Sequence, residues 1–169
     1  MSLWVAGYLP NCGHDWMLRF DLPLFQSSLE IQYRVKEKKT IQTQLKNNLE
    51  FSRSIPEIHQ SLSFRWISAE KNSKIKWHSV TVSNEMGRKN SGNLFSYHFN
   101  GIKSGALTVS SGLILWHTNG WSSRIYHYSS SLKGELYIPA YYETGGALFS
   151  KWRYVISDQT DVSFRHSIS

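Results

Sequence analysis

The sequence predicts a mainly β fold of the α+β class, in which an antiparallel sheet packs against one or two helices in a single domain. Three observations lead to this prediction. Several segments alternate between apolar and polar residues, as half-buried strands do, whereas one segment repeats its apolar residues every four positions, as a helix does. The chain of 169 residues has the size of one domain. With 40% hydrophobic and 18% charged residues, it is too apolar to be disordered.

The clearest strand signal covers residues 27–35. Leu29, Ile31, Tyr33 and Val35 alternate there with Ser28, Glu30, Gln32 and Arg34. This strict alternation predicts a strand with one apolar and one polar face.

The helix is predicted for residues 41–52. Thr40 is a suitable N-cap, and Ile41, Leu45 and Leu49 follow at intervals of four before Pro56 interrupts the pattern. We expect the sheet to pack on this helix.

Alternation resumes after the helix. Leu62, Phe64 and Trp66 indicate one strand, residues 75–82 indicate another, and the polar residues 83–93 predict an exposed loop. Three more strands are predicted at residues 132–138, 148–156 and 162–168.

Asn119 and Gly120 predict a type I′ hairpin, because Asn-Gly favours the positive φ angles that this turn needs. In that register Trp116 would face Ser123, and Ile114 would face Ile125.

The tryptophans divide into two groups. Trp66, Trp77, Trp116 and Trp152 lie in or beside alternating segments and are interpreted as core residues. Trp4 and Trp16 lie outside any clear strand, which favours exposure or contact with a partner.

The charge of the chain indicates an anionic partner. The net charge is +7, and no acidic residue occurs between Met86 and Gly134. Residues 34–39 form the densest basic run, and the alternative interpretation of this run is a solvated strand end. The residues predicted to bind an anionic partner are Arg34, Lys36, Lys38, Lys39, Lys46, Arg53, Arg88 and Lys89.

The sequence predicts no catalytic residue, cofactor, metal site or small-molecule substrate. Cys12, His14 and Asp15 are close together, but their spacing suits neither a nucleophile with its base nor a zinc site. His98, His117 and His127 would need the fold to bring them together. Phosphate-binding glycine motifs and the GxSxG motif are absent from the sequence.

The sequence also indicates a reducing compartment. It has a single cysteine, no glycosylation acceptor, no signal peptide and no long apolar run. We therefore expect a cytoplasmic protein without a transmembrane segment.

Three segments resemble the matrix proteins of rhabdoviruses, in particular the shorter plant-infecting type. They are the strand SSLEIQYRV with the following TIQTQLKNNLEF, the segment FNGIKSGALTVSSGLILW, and the closing GALFSKWRYVISDQTDVSFRHSIS. The resemblance implies a non-enzymatic virion protein that self-associates and bridges a ribonucleoprotein of nucleoprotein and RNA to an anionic membrane. It would then be found in the host cytoplasm and at the inner face of the viral membrane. The chain departs from the family in lacking PPxY and PTAP-type release motifs and a lysine-rich N-terminal tail.

The same resemblance implies that an extended N-terminal segment docks onto a neighbouring subunit. Residues 1–26 would form this segment and residues 27–169 the β-rich domain, with self-association through Leu3, Trp4, Val5 and Tyr8.

Two other functions remain open from the sequence. The basic, tryptophan-rich composition would also suit a secreted β-sandwich that binds glycans or permeabilises membranes. A small enzyme using Cys12 and His14, or a spatial histidine cluster, is the third alternative.

Overall fold

The computed structural model describes residues 2–8, 14–46, 49–68, 70, 72–84, 87–128 and 138–169. Within these ranges, side chains are described for residues 14–39, 55–68, 70, 72–84, 87–101, 103–128 and 138–169.

The described residues form one large antiparallel sheet and one small one. In chain order, the elements are β1 (Ser2–Tyr8), β2 (Asp15–Leu24), β3 (Ser27–Lys46), β4 (Leu49–Ile67), β5 (Ser73–Asn84), β6 (Lys89–Ser104), β7 (Leu107–Thr118), a 3₁₀ turn (Trp121–Ser123), β8 (Ile125–Tyr126), β9 (Ala140–Tyr141), β10 (Thr144–Ser157) and β11 (Thr160–Ile168). The large sheet has nine strands in the order β1-β2-β3-β4-β5-β6-β7-β10-β11, and β8 pairs with β9 separately. Each strand of the large sheet therefore lies beside its predecessor, except where β10 follows β7.

The predicted helix at residues 41–52 is wrong, and so is the α+β class. Residues 41–46 complete β3 and residues 49–52 begin β4, with Ile41 paired to Ser54 and Leu45 to Glu50. The described residues contain no α-helix. A spacing of four is also a multiple of two, so apolar residues at this interval lie on one side of a strand as well as of a helix. Backbone pairing between two long neighbouring strands prevails here over the local helical pattern.

The predicted Asn-Gly hairpin is also wrong. Both edges of β7 are paired, one to β6 and the other to β10, so no edge is left for residues 121–126. Gly120 is extended, with φ of −179°, rather than in the positive φ that a type I′ turn needs. The chain instead leaves the sheet through the 3₁₀ turn and enters β8.

Most other strand predictions are confirmed. The segments around residues 27–35, 62–66 and 75–82 belong to β3, β4 and β5, and residues 148–156 and 162–168 pair as β10 and β11. The predicted loop at residues 83–93 is shorter than expected, because β6 already begins at Lys89. Most of the predicted strand at 132–138 lies outside the described residues.

The two faces of the large sheet differ in chemistry. Cross-strand partners on one face form a continuous apolar row over β2 to β7, β10 and β11. Its members are Leu22, Leu29, Trp66, Ile75, Tyr97, Leu113, Leu148 and Ile168. A parallel row contains Phe20, Ile31, Phe64, Trp77, Phe95 and Leu115. We call this side of the sheet the apolar face.

The opposite side, which we call the polar face, carries most of the charges of β2 to β5. One row of cross-strand partners on it is Asp21, Glu30, Arg65, Lys76 and Ser96, and the next is Arg19, Gln32, Ser63 and His78. Because side chains alternate between the two sides of a strand, this polarity follows directly from the alternating sequence.

The 3₁₀ turn, β8 and β9 cover part of the polar face and form the core there. The buried cluster consists of Leu94, Ile114, Ile125, Tyr141 and Phe149, with Val80 and Trp116 packed against it. The core therefore lies between β6, β7 and β10 and the covering segment, not between the sheet and a helix.

Candidate functional site

The apolar face is partly exposed over β2 to β7 and most exposed over β10 and β11. Leu148, Phe164 and Ile168 are 59%, 61% and 63% exposed, whereas Ser96 and Thr118 on the polar face are 0% and 5% exposed. This is the reverse of an ordinary globular protein, in which the apolar side of a sheet is covered.

The size of the apolar face also sets it apart. Neighbouring strands lie about 4.8 Å apart, so a row over eight strands extends over roughly 34 Å. The largest apolar patch of a typical soluble monomer covers about 300–600 Å², which is roughly 17–25 Å across. Contiguous apolar surfaces of this extent mark sites of contact with a membrane or a partner.

Aromatic side chains are prominent on this face. Trp16 is 55% exposed and Trp152 is 46% exposed, while Phe64 packs against Trp77 with 5.5 Å between ring centroids. The interpretation of Trp152 as a core residue is therefore wrong, whereas the expected exposure of Trp16 is confirmed. Alternation places Trp152 on the apolar face, but it does not reveal that nothing in the described chain covers that face.

An ion-pair network ties β2, β3 and β4 together on the polar face. Glu30 accepts from the guanidinium groups of both Arg19 and Arg65, at 2.8 Å from Arg19, and Arg19 also pairs with Asp21 at 3.1 Å. The Glu30 side chain is only 14% exposed. Burial is the main cause that lowers the pKa of Arg65.

His78 and His98 of the sheet and His127 of the covering segment lie close together, near Lys74 and Lys76. The rings of His98 and His127 lie 5.8 Å apart, and His98 also contacts Phe149. Burial lowers the pKa of His78 and of His98 to about 4 and that of His127 to about 3. All three imidazoles are therefore neutral near pH 7. His117, the third residue of the expected trio, has its Cα paired with Asn93 and binds Thr144 Oγ1 at 2.6 Å, in the register of the apolar face.

The basic run of β3 splits between the two faces. Arg34, Lys36 and Lys38 occupy alternate positions on the polar face and line one cleft, together with Arg124 from the covering segment. Asp15 of β2 pairs with Arg34 at 2.5 Å and with Lys36 at 3.8 Å. The hydrogen bond from Arg34 is the main reason why the pKa of Asp15 is lowered.

Of the other predicted anion-binding residues, Lys39, Arg88 and Lys89 do not line this cleft. Lys39 is exposed at the next position of β3, Lys89 is exposed at the start of β6, and Arg88 is exposed just before it. The side chains of Lys46 and Arg53 lie outside the described residues, although their backbones belong to β3 and β4. The predicted set of anion-binding residues thus includes three of the four cations that line the cleft among the described residues, and it lacks Arg124.

The predicted self-association residues lie in β1, at one edge of the large sheet. Leu3 pairs with Phe20, Trp4 with Arg19, Val5 with Leu18 and Tyr8 with Asp15. In the described structure β1 is thus bound to β2 of its own chain, and its other edge is unpaired among the described strands. The side chains of β1 lie outside the described residues.

The alternative catalytic site with Cys12 and His14 is not assembled among the described residues. Cys12 is outside the described residues, His14 is exposed, and Asp15 is engaged by Arg34. No group of three or more candidate metal ligands occurs in the described part of the chain. Within the same residues, no helix has the length and apolarity needed to cross a membrane.

Neither protein-family models nor curated proteins nor solved structures provide a match to this chain.

Proposed function

We propose that this protein is a non-enzymatic, membrane-associated structural protein whose apolar face binds the hydrocarbon region of a lipid bilayer. The row of apolar residues from Leu22 to Ile168 carries this proposal, because it crosses eight strands on the exposed side of the sheet.

Lipid acyl chains suit this face better than a protein partner does. The row is continuous over the sheet, and the exposed residues of the apolar face are spread from Leu18 of β2 to Ile168 of β11 rather than gathered in one pocket. A protein interface usually combines an apolar centre with a polar rim, whereas a bilayer offers an unbroken apolar phase. Transfer of exposed apolar side chains into that phase contributes about 25 cal/mol per Å².

Charge favours an anionic bilayer. The net charge is +7, and each lysine or arginine close to an anionic surface contributes about 1 kcal/mol. Salt should weaken this contribution but not the apolar one.

A matrix-like role is a more specific version of this proposal. A matrix-like protein would bind lipid, self-associate and bridge a ribonucleoprotein to the membrane. Its membrane-binding part is the part that the exposed apolar face supports. The segment TIQTQLKNNLEF was expected to be helical in that resemblance, but its residues 40–46 and 49–51 belong to strands.

Tryptophan fluorescence in vesicles with brominated acyl chains tests the proposal. Bromine quenches only tryptophans within the hydrocarbon region, and Trp16, Trp66, Trp77 and Trp152 lie on the apolar face. We expect strong quenching by brominated lipids relative to ordinary phosphatidylcholine. The variants Trp16→Phe and Trp152→Phe should lower the quenched fraction.

Trp121→Phe provides the matched control. Trp121 is 59% exposed but belongs to the segment that covers the polar face, so its removal should not lower the quenched fraction. Equal fluorescence in both kinds of vesicle would refute lipid binding by the apolar face. Equal fluorescence together with a defined dimer in sedimentation would assign the face to a second copy of the chain.

A further inference from the structure

A second feature, the cleft on the polar face, is not explained by lipid binding through the apolar face. The cleft lies between the β3 and β4 strands and the segment that covers the polar face. Four cationic side chains line it, namely Arg34, Lys36, Lys38 and Arg124. The carboxylates beside them are Asp15, which binds Arg34 and Lys36, and Glu57, which lies 3.5 Å from His59.

The positive charges are close to one another. Lys36 and Lys38 are two residues apart on the same face of β3, which separates their Cα atoms by about 7 Å. Like charges at such distances are destabilising unless an anion lies between them. Lys38 contributes to lowering the pKa of His59, second to burial. The four cations thus leave an excess of positive charge even with the two carboxylates of Asp15 and Glu57 in place.

Arg124 is held in position from the other side of the cleft. Its guanidinium lies over the ring of Trp121 at 4.6 Å, its Nε donates to the hydroxyl of Tyr126 at 2.7 Å, and an Nη donates to the carbonyl of Trp121 at 3.1 Å. None of these groups is negatively charged. They fix the orientation of the guanidinium without neutralising it.

Nδ1 of His78, a buried imidazole nitrogen in the cleft, lacks a hydrogen-bond partner in the described structure. Nε2 of the neighbouring His59 has only a long contact, at 3.5 Å, with the Glu57 carboxylate. Buried polar atoms in native proteins nearly always have a partner, so the Nδ1 atom of His78 beside four cations indicates a missing polar ligand.

We propose that this cleft binds a phosphate group. A phosphate group has several acceptor oxygens and up to two negative charges, so it would satisfy guanidinium, ammonium and imidazole donors together. Free phosphate and the headgroup of a phosphate-bearing lipid are two sources of the same chemistry.

Titration of the purified full chain with inorganic phosphate at constant ionic strength tests the site. We expect saturable binding by calorimetry, and Lys38→Gln and Arg124→Gln should each weaken it about tenfold. Lys103→Gln removes the same charge from an exposed position outside the cleft, so it should change the affinity less than twofold. Circular dichroism of each variant verifies the fold.

The imidazole of His59 provides a second readout. A bound phosphate should raise the pKa of His59 in NMR titrations, because the anion stabilises the imidazolium. A structural role of the cations alone would not make this pKa depend on phosphate.

A parallel arm uses phosphatidylcholine vesicles with and without phosphatidic acid. If inorganic phosphate fails to bind but Lys38→Gln and Arg124→Gln weaken binding to phosphatidic acid vesicles, the phosphate group comes from a lipid. If neither ligand depends on these residues, the proposed site does not exist. Tryptophan quenching by brominated lipids is independent of this result, so failure of the cleft leaves the lipid-binding proposal intact.

Discussion

The carbonyl oxygen of Ser123 occupies the space beside Gly92, so a Cβ built on Gly92 would lie 2.5 Å from it. Ser123 is fully buried, and its hydroxyl lies within hydrogen-bonding distance of two carbonyl oxygens, that of Ser91 at 3.0 Å and that of Gly120 at 2.9 Å. The absence of a side chain at position 92 therefore lets the 3₁₀ turn approach β6. This contact positions the segment that supplies Ile125 to the core and Arg124 to the cleft.

Gly92→Ala should consequently destabilise the fold by about 2 kcal/mol, because backbone atoms must move to admit the methyl group. Urea unfolding followed by circular dichroism measures this change.

Gly146→Ala is the matched control for Gly92→Ala. A Cβ on Gly146 would meet a terminal methyl group of Leu115 at 3.0 Å, and this flexible side chain can move aside. We expect a change of less than about 1 kcal/mol at this position. Equal destabilisation by both substitutions would contradict the proposed role of the Gly92 contact.

Local alternation was enough to predict most strands and the polarity of their faces. Leu29, Ile31 and Tyr33 lie on one face of β3 as expected, and β10 and β11 pair where the pattern placed them. Alternation does not determine what covers a face. The expectation that the apolar face packs on a helix failed because residues 41–46 and 49–52 belong to two strands instead.

Only some of the residues that line the cleft could be predicted from the sequence. Arg34, Lys36 and Lys38 alternate within five consecutive residues, so their clustering could be predicted from the sequence. Arg124 and His78 reach the same place only through strand order and the fold of the covering segment. Single-sequence patterns contain no information on such long-range pairings, and the Asn119-Gly120 signal pointed to a hairpin that β10 displaces.

The buried histidines make stability depend on pH. Folding lowers the pKa of His127 to about 3 and that of His98 to about 4, so below their unfolded value of 6.5 the unfolded chain binds more protons than the folded one. Stability is thus fully present above pH 6.5 and falls as the pH drops towards 4. Each such histidine contributes a limiting slope of about 1.4 kcal/mol per pH unit.

Urea unfolding between pH 7.5 and pH 4.5 measures this slope. His127 faces His98, His78, Lys74 and Lys76, all of which contribute to lowering its pKa after burial. His127→Gln should make the dependence shallower. His166→Gln, at an exposed position of β11, should retain the slope of the unmodified chain. An unchanged slope in His127→Gln would exclude this histidine as a source of the dependence.

Glu30 forms ion pairs with two arginines, so replacing it should lower the free energy of unfolding. Glu30→Gln would leave Arg19 and Arg65 without their shared carboxylate on a partly buried surface. We expect destabilisation by about 2 kcal/mol, less than for a fully buried pair because Arg19 is 39% exposed and still has Asp21. Asp158→Asn, in the exposed turn between β10 and β11, is the control and should change stability by less than about 0.5 kcal/mol. Similar losses in both variants would argue against the network.

A lysine introduced on the apolar face should weaken lipid binding without destabilising the fold. Leu148 is 59% exposed and lies in the apolar row, so in water Leu148→Lys should change the free energy of unfolding by less than about 0.5 kcal/mol. In hydrocarbon, a lysine costs about 3 kcal/mol, which corresponds to roughly 100-fold weaker binding. Co-sedimentation with phosphatidylcholine vesicles measures this loss.

Tyr142→Lys adds the same charge on the segment that covers the polar face, where the side chain is 48% exposed and contacts Trp121. This variant should bind vesicles as well as the unmodified chain, because its lysine stays outside the hydrocarbon. If Leu148→Lys binds as tightly as Tyr142→Lys, the apolar face does not enter the bilayer. If both variants bind weakly, the loss comes from added charge rather than from its position. Only a selective loss at Leu148 agrees with a sheet that sets its exposed apolar face against acyl chains.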